Sequence, residues 1–198
     1  GKTAMLLCDG EKVRGFIAVA DAPRPESTHV VKVLNEFGIH TIMLTGDNAA
    51  VAKAVGEGVG IDEIRANLLP GDKRAAVEKL RKEFGSVAMV GDGINDAPAL
   101  ASADLGIAMG GSGSDQALET ADVVLMADDM NKLPFAIKLS RFANRLVKQN
   151  IIFSLGSKLL VAVIALLGYA PLWLAVLADM GVSLLVTLNG LRAMRMKV

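Results

Sequence analysis

Three stretches of this sequence combine residue types that together suit phosphoryl transfer. They are Thr45-Gly46-Asp47-Asn48, the lysine Lys73, and Gly91-Asp92-Gly93-Ile94-Asn95-Asp96. Moving a phosphoryl group asks little covalent chemistry of a protein beyond a nucleophile. It asks for Mg²⁺, donors to the equatorial oxygens and in-line positioning. Asp92 offers a carboxylate to Mg²⁺, a hard cation that takes a few protein oxygens and keeps its waters. Lys73 supplies a point positive charge, and Thr45 with the Gly46 backbone supplies hydrogen-bond donors. Gly91 and Gly93 let the backbone turn sharply and come close to a ligand. Asn95 and Asp96 can brace the loop and the outer shell of the metal. Thr45-Gly46-Asp47 alone reads equally well as an ordinary turn. The longer string, placed after an apolar strand and followed by Ala97-Pro98-Ala99-Leu100, is far more specific.

A second pair of charges stands in unusual surroundings. Lys158 and Asp179 are the only ionisable residues within two apolar runs, 151–167 and 172–188. A charge at membrane depth costs several kcal/mol unless it is paired, which marks both residues as functional candidates. Lys158 lies seven residues beyond Ile151 and Asp179 nine before Leu188. At about 1.5 Å per residue these depths are roughly 10 and 14 Å, so an antiparallel hairpin can bring the two together. A plain structural ion pair is one reading. The other has Asp179 binding a divalent cation while Lys158 neutralises it when the site is empty. A cation between the two would push the ammonium away.

The elements that must position these groups follow from pattern. Residues 4–7 and 13–19 read as two short strands joined by Asp9-Gly10. Asp21-Ala22-Pro23-Arg24-Pro25 then breaks the pattern like a hinge. Helix patterns cover 26–37, 49–55 and 72–83, the last opened by Pro70. Apolar strands are expected at 39–44, 87–90, 105–108 and 123–125. Strands alternating with helices predict an α/β domain with a parallel, Rossmann-like sheet, whose ligands bind at the carboxyl ends of its strands. Residues 132–148 form a basic amphipathic helix pattern that runs without a breaker into the first apolar run. Gly168-Tyr169-Ala170-Pro171 makes an uncharged turn, and Arg192, Arg195 and Lys197 follow the second run. Basic flanks and an uncharged turn predict a two-helix transmembrane hairpin with both ends cytoplasmic.

Composition narrows the class. Lys plus Arg and Asp plus Glu both number 21 in 198 residues, so no polyanion such as nucleic acid is an expected partner. The hydrophobic share of 52% is high for a soluble chain, and the excess falls after residue 150. The lone cysteine, Cys8, excludes a disulfide framework and is expected as a small buried hydrophobe. His29 and His40 stand apart from other ligand types and read as ordinary surface or core residues.

At this point the residues resemble a known family. Met43-Leu44-Thr45-Gly46-Asp47-Asn48, Leu69-Pro70-Gly71-Asp72-Lys73, Met89 to Leu100 and Glu119-Thr120-Ala121-Asp122 look like the signatures of P-type ATPases, in that family's order. Their phosphorylation domain is of the haloacid-dehalogenase type. The resemblance implies that Asp92 is a Mg²⁺ ligand, that Asp96 braces it, and that Thr45 and Lys73 contact an aspartyl phosphate formed from ATP. It implies that Asp47 positions the nucleotide end or the hinge, and that Asp21 and Arg24 mark the return from a nucleotide-binding domain. Gly156-Ser157-Lys158 and Leu177-Ala178-Asp179-Met180-Gly181 resemble the zinc, cadmium and lead subgroup. The copper and cobalt patterns are not present. Ser114 before Asp115 and Gly71 are mild departures.

The resemblance also says what this chain does not contain. The family's Asp-Lys-Thr-Gly-Thr nucleophile string does not occur, nor do its Thr-Gly-Glu and Cys-Pro-Cys motifs. The expectation is therefore the C-terminal part of an ATP-driven exporter, inactive by itself, whose N-terminal part is a separate stretch of the same polypeptide. The expected layout is 1–20 as the end of a nucleotide-binding domain and 21–130 as the phosphorylation domain. A stalk helix at 131–150, the hairpin at 151–190 and a cytoplasmic tail at 191–198 complete it. Expected partners are a divalent heavy-metal ion and the lipid bilayer of the plasma membrane. Asp179 alone cannot hold zinc, which takes about three or four ligands, so the soft thiolates of the Cys-Pro-Cys motif should complete the site. Two rivals fare worse. A membrane-tethered phosphatase needs an Asp-x-Asp nucleophile that is not there, and a non-catalytic module would not keep Thr45, Lys73, Asp92 and Asp96.

Overall fold

A computed structural model of the chain describes residues 3–10, 12–19, 22–92, 94–110, 119–169 and 171–195. Asp21, Gly93, Ser114, Asp115 and Lys197 lie outside the described residues. The chain divides into two units, Gly1–Leu133 and Pro134–Val198, each taken by itself below.

The first unit opens with a hairpin of β1 (Thr3–Asp9) and β2 (Lys12–Val19), paired antiparallel with a bulge at Leu7 and Cys8. Successive side chains of a strand point to opposite faces. Leu6 and Leu7 are both exposed, so neither face of the hairpin is covered. Cys8 is exposed for the same reason, against the expectation that it is buried. Among the described residues nothing covers either face of its strand, so small size and apolar character cannot hide it.

Next come α1 (Ser27–Glu36), β3 (Ile42–Leu44), α2 (Ala49–Val59), β4 (Glu63–Arg65) and α3 (Pro70–Phe84). Val30, Val31 and Leu34 form the buried stripe of α1. The helix ends where Gly38, at φ 74°, lets Ile39 N donate to Leu34 O and Gly38 N to Asn35 O. A residue with a Cβ would be strained there, and this reversal aims the chain into β3. Asn48 caps α2 by accepting from Ala50 N and Val51 N. At the other end of the same layer Asp62 accepts from Thr41 N and Thr41 Oγ1, each at 2.8 Å. Those two bonds hold the Asp62 carboxyl below its ordinary value and tie the start of β4 to the start of β3.

The unit closes with β5 (Ala88–Gly91), a single 3₁₀ turn at Ile94–Asp96, α4 (Ala97–Ser102), β6 (Leu105–Met109) and β7 (Val123–Leu125). Strands β5, β6 and β7 pair in parallel in that order, and β3 and β4 pair in parallel as a separate ladder. The α/β reading with parallel pairing therefore holds, in two ladders rather than one among the described residues. Asp122 locks β6 to β7 by exchanging bonds with Gly106, its carboxylate accepting from Gly106 N at 2.8 Å. Val30, Val77 and Leu100 are the largest fully buried side chains, so the core lies where α1, α3 and α4 cover the strands.

The second unit is built from α5 (Lys132–Leu166) and α6 (Leu172–Gly190). The expected basic pattern and the first apolar run form one helix, with no break at residue 150. Gly168 at φ 81° ends it in the same way that Gly38 ends α1, with Tyr169 N donating to Ile164 O. Asn150 meets Asn189 and Lys158 meets Asp179, so the two helices run antiparallel. Both are long and apolar enough to cross a membrane, and the apolar stretch of neither is buried in protein.

Candidate functional site

The first unit gathers its polar groups where β3, β5 and β7 end. Leu44 hands the chain to Thr45, whose hydroxyl donates to Asp47 Oδ2 at 2.8 Å and accepts from Asp47 N at 3.1 Å. This small closed turn is strapped to the segment before α3. Leu68 N donates to Thr45 O, and Asn67 N, on a residue at φ 57°, donates to Asp47 O. Gly46 lies beneath the Leu68 carbonyl. Pro70 then starts α3, and the Asp72 carboxylate accepts from Leu69 N at 3.0 Å, satisfying an N–H near the helix start that would otherwise lack an acceptor.

One residue further on, Lys73 points to the end of β5. Its Nζ meets Asp96 Oδ1 at 2.8 Å, with only 17% and 15% of the two side chains exposed. Gly91 makes that approach possible, because a Cβ there would sit 2.9 Å from Asp96 Cβ. So the third turn of the trio is braced from below by its own glycine and from the side by α3. Asp92, at the end of β5, is 55% exposed and open to a ligand. Asn95 is exposed on the 3₁₀ turn. Of the residues singled out from the sequence, the fold joins Lys73 to Asp96 and Thr45 to Asp47, and it straps the Thr45 turn to the approach of α3.

Two partners were not legible in the sequence. Arg24, expected only as a hinge residue, reaches Asp92 Oδ2 at 3.9 Å and Asp128 Oδ2 at 2.8 Å, and donates to Asp128 O at 3.0 Å. The Asp128 bond is the main reason that its guanidinium is held even further above its ordinary value, with Asp92 adding to the effect. Asp128 follows β7, so the rule that directs attention to the carboxyl ends of strands would have found it. Ala127 and Asp128 both take left-handed backbone, at φ 63° and 55°. For residues with a Cβ this costs about 1–2 kcal/mol each. That conformation presents both the Asp128 carbonyl and its carboxylate to Arg24.

In the second unit Lys158 Nζ and Asp179 Oδ1 are 3.3 Å apart, with 61% and 57% of the side chains exposed. The depth arithmetic made from the sequence therefore brings the right residues together. Their flank is open, not sealed by the partner helix. Among the described residues no cluster of three or more His, Cys, Asp or Glu side chains is close enough to hold a metal ion. Any cation taken by Asp179 needs ligands from elsewhere. Mg²⁺ differs, since it is usually bound through one or two carboxylates and keeps several waters. Asp92, with Asp96 beside it, fits that donor set.

Chemically, the first unit presents an open carboxylate, a fixed ammonium and a hydroxyl-bearing turn within one set of linked loops. The second presents an exposed carboxylate with an exposed ammonium 3.3 Å from it.

Comparison with known proteins gives the following. Residues 1–104 match the haloacid dehalogenase-like hydrolase family. The whole chain is 57% identical to a probable cadmium-transporting ATPase of Listeria monocytogenes, over 198 residues that make up 28% of that protein. It is 46% identical over 195 residues to a zinc-transporting ATPase of Bacillus subtilis, covering 98% of this chain and 30% of that one. The crystal structure of a zinc-transporting PIB-type ATPase in its E2.Pi state superposes with a TM-score of 0.87 at 46% identity. That match covers 98% of this chain and 32% of the other. The chain thus spans less than a third of the length of these relatives.

Proposed function

The chain belongs to the haloacid dehalogenase-like hydrolase family, and on that premise we propose that it is part of an ATP-driven exporter of Zn²⁺, Cd²⁺ or Pb²⁺ working through an aspartyl phosphate. The cadmium- and zinc-transporting relatives support the cargo, as do Lys158 and Asp179 in the two apolar helices. The observation that carries the reading is that an ammonium and a carboxylate meet at 3.3 Å between two apolar runs, 151–167 and 172–188, that hold no other charge. In hydrocarbon such a pair is costly to keep without a use.

In this reading Thr45, Gly46 and Lys73 bind and orient the phosphoryl group, with Asp47 closing the Thr45 turn. Lys73 is already held by Asp96 at 2.8 Å, so its charge needs no reorganisation when the phosphoryl group arrives. Asp92 would hold Mg²⁺, with Asp96 and Asn95 bracing the loop. When bound, Mg²⁺ would neutralise developing phosphate charge. Arg24, 3.9 Å from Asp92 Oδ2, would help to orient that carboxylate.

The nucleophile is assigned to a strand outside this chain. Two features support this. Among the described residues the β3–β4 ladder and the β5–β6–β7 ladder are separate, which leaves β3 and β5 each with an edge on which a further strand can pair. The hairpin β1–β2 exposes apolar side chains on both faces, which a pair of strands cannot sustain alone in water. We assign residues 1–20 to a nucleotide-binding domain and 21–130 to the phosphorylation domain. Residues 131–150 are assigned to a stalk, 151–190 to the membrane and 191–198 to a cytoplasmic tail. Basic residues before the first apolar run and after the second favour a plasma-membrane hairpin with both ends in the cytoplasm.

The test is made on the complete polypeptide reconstituted in vesicles with Asp179→Ala. Zinc should no longer accelerate ATP hydrolysis or cross the vesicle wall. Undiminished zinc transport by that variant would end the proposal.

A further inference from the structure

The hairpin carries a second polar contact, beyond the ion pair. Arg192 Nη1 donates to Asn189 Oδ1 at 3.0 Å, Asn189 Nδ2 donates to Asn150 Oδ1 at 2.8 Å, and Asn150 Nδ2 donates to Val186 O at 3.4 Å. The direction of this relay is determined at its start. A guanidinium can only donate, so it selects the oxygen end of the Asn189 amide, and that leaves an N–H for Asn150. The relay begins just past α6, crosses to α5 and returns to a carbonyl of α6. Both asparagines are half-buried at the seam, whereas Lys158 and Asp179 are exposed.

Helix geometry links the two contacts. Asn150 precedes Lys158 by eight residues and Asp179 precedes Asn189 by ten. At 1.5 Å per residue the ion pair stands about 12 to 15 Å along the hairpin from the amide pair. At about 100° per residue, eight residues turn Lys158 by roughly 80° from the seam, and ten turn Asp179 by roughly 80° in the opposite sense. In antiparallel right-handed helices whose amides face each other, these opposite turns bring both side chains to one flank. The 3.3 Å separation and the shared exposure of Lys158 and Asp179 are what that geometry yields.

We propose that Asn150 and Asn189 are positioning residues that set the register of α5 against α6 and thereby hold Lys158 opposite Asp179. Toward the ion pair the half-buried side chains are small or aliphatic, such as Ser157 and Val161 on α5 and Ala178 and Val182 on α6, and the Ser157 hydroxyl is taken by the Ser154 carbonyl of its own helix. A single half-buried amide pair favours one register, because every other leaves its donors unmade. A slip of α6 by one residue would move Asp179 about 1.5 Å along the axis and about 100° around it, away from the flank that Lys158 occupies. This inference rests on the transport role given above to Asp179.

The experiment is a mutant cycle in the complete pump, reading zinc-stimulated turnover and the apparent KM for zinc. Asn150→Ala and Asn189→Ala should each lower kcat by roughly 3- to 10-fold, the range of one interhelical hydrogen bond in a membrane. The apparent KM should fall with it, since a displaced Lys158 no longer helps to expel the metal. The double variant should resemble either single one. In a Lys158→Ala background, Asn150→Ala should add nothing. The pair Asn150→Leu with Asn189→Leu keeps the seam filled, and it should give a folded pump with the same lowered kcat and KM. A leucine pair with normal kcat and KM overturns the proposal, as do losses from Asn150→Ala and Lys158→Ala that simply multiply. If Asp179→Ala abolishes transport while the leucine pair is normal, only the register proposal fails. If Asp179→Ala transports normally, the reading beneath it fails.

Discussion

Among the described residues each unit holds a Lys–Asp pair, Lys73–Asp96 in the first and Lys158–Asp179 in the second, and the two are built differently. Lys73 and Asp96 are mostly enclosed, 2.8 Å apart, with a glycine beneath the aspartate and a capped helix start behind the lysine. Lys158 and Asp179 are 3.3 Å apart on an open flank of a two-helix hairpin. Enclosure makes the first lysine a fixed charge, oriented before any ligand arrives. Openness leaves the second free to exchange one partner for another. In the proposed reading the same two residue types serve as a preorganised donor in one place and a replaceable counter-charge in the other. What decides between them is the packing around each pair, because low-dielectric surroundings strengthen a pair only where they also hold it in place.

The largest effect that can test this contrast comes from the enclosed pair. Lys73→Ala in the complete pump should cut ATP turnover by about 10²–10³, as expected on losing a preorganised donor to developing charge. Zinc affinity, measured by competition with a chelating dye, should stay unchanged. A shift in zinc affinity would mean that the two pairs are not separate devices.

The open pair should give a smaller and different signature. Lys158→Ala is expected to slow zinc-stimulated turnover about tenfold, near the upper end of a single polar contact in a membrane. Release of zinc after phosphorylation, followed by stopped flow, should be the step that slows. Normal turnover with normal release would reduce the pair to a structural contact.

The smallest effect sharpens the comparison with a pair that has neither role. Arg81 Nη2 meets Asp104 Oδ1 at 2.6 Å on the surface of the first unit. The Arg81 bond, with a bond from Val87 N, holds the Asp104 carboxyl below its ordinary value. A lowered carboxyl contributes stability that is complete above the unfolded value, near pH 4, and is lost as pH falls through the folded value. Asp104→Asn should therefore melt at most a few degrees lower near pH 7, by roughly the shift typical of a weak surface pair. That difference should close in acid while turnover stays unchanged. A thermal melt of the purified protein across pH, beside an ATPase assay, checks both.

Much of the first unit was legible because its signals are local. Thr45, Lys73, Asp92 and Asp96 each follow an apolar strand or open a helix, and those boundaries are written within a few neighbouring residues. The strand Glu63–Arg65 was not legible, since one isoleucine between two charges shows no alternation. The exposure of Cys8 is not written in its neighbours, because a strand's composition does not say which face another layer will cover. Arg24 reads as a hinge residue, yet its reach to Asp128 and Asp92 spans 104 and 68 positions along the chain. Nothing within the neighbourhood of Arg24 announces either partner.

The hairpin divides in the same way. Its spans, its uncharged turn, its two charges and their matching depths are written in the sequence, because a helix advances by a constant rise and burial in lipid demands long apolar runs. Which flank the charges share, and which amides pin it, was decided only by the packing of α5 on α6. Rise and period are properties of one helix, whereas the rotation of one helix against another depends on contacts between side chains 39 positions apart, such as Asn150 and Asn189. Local physics sets what each segment can become. Only the assembled fold determines which of those segments' polar groups find each other.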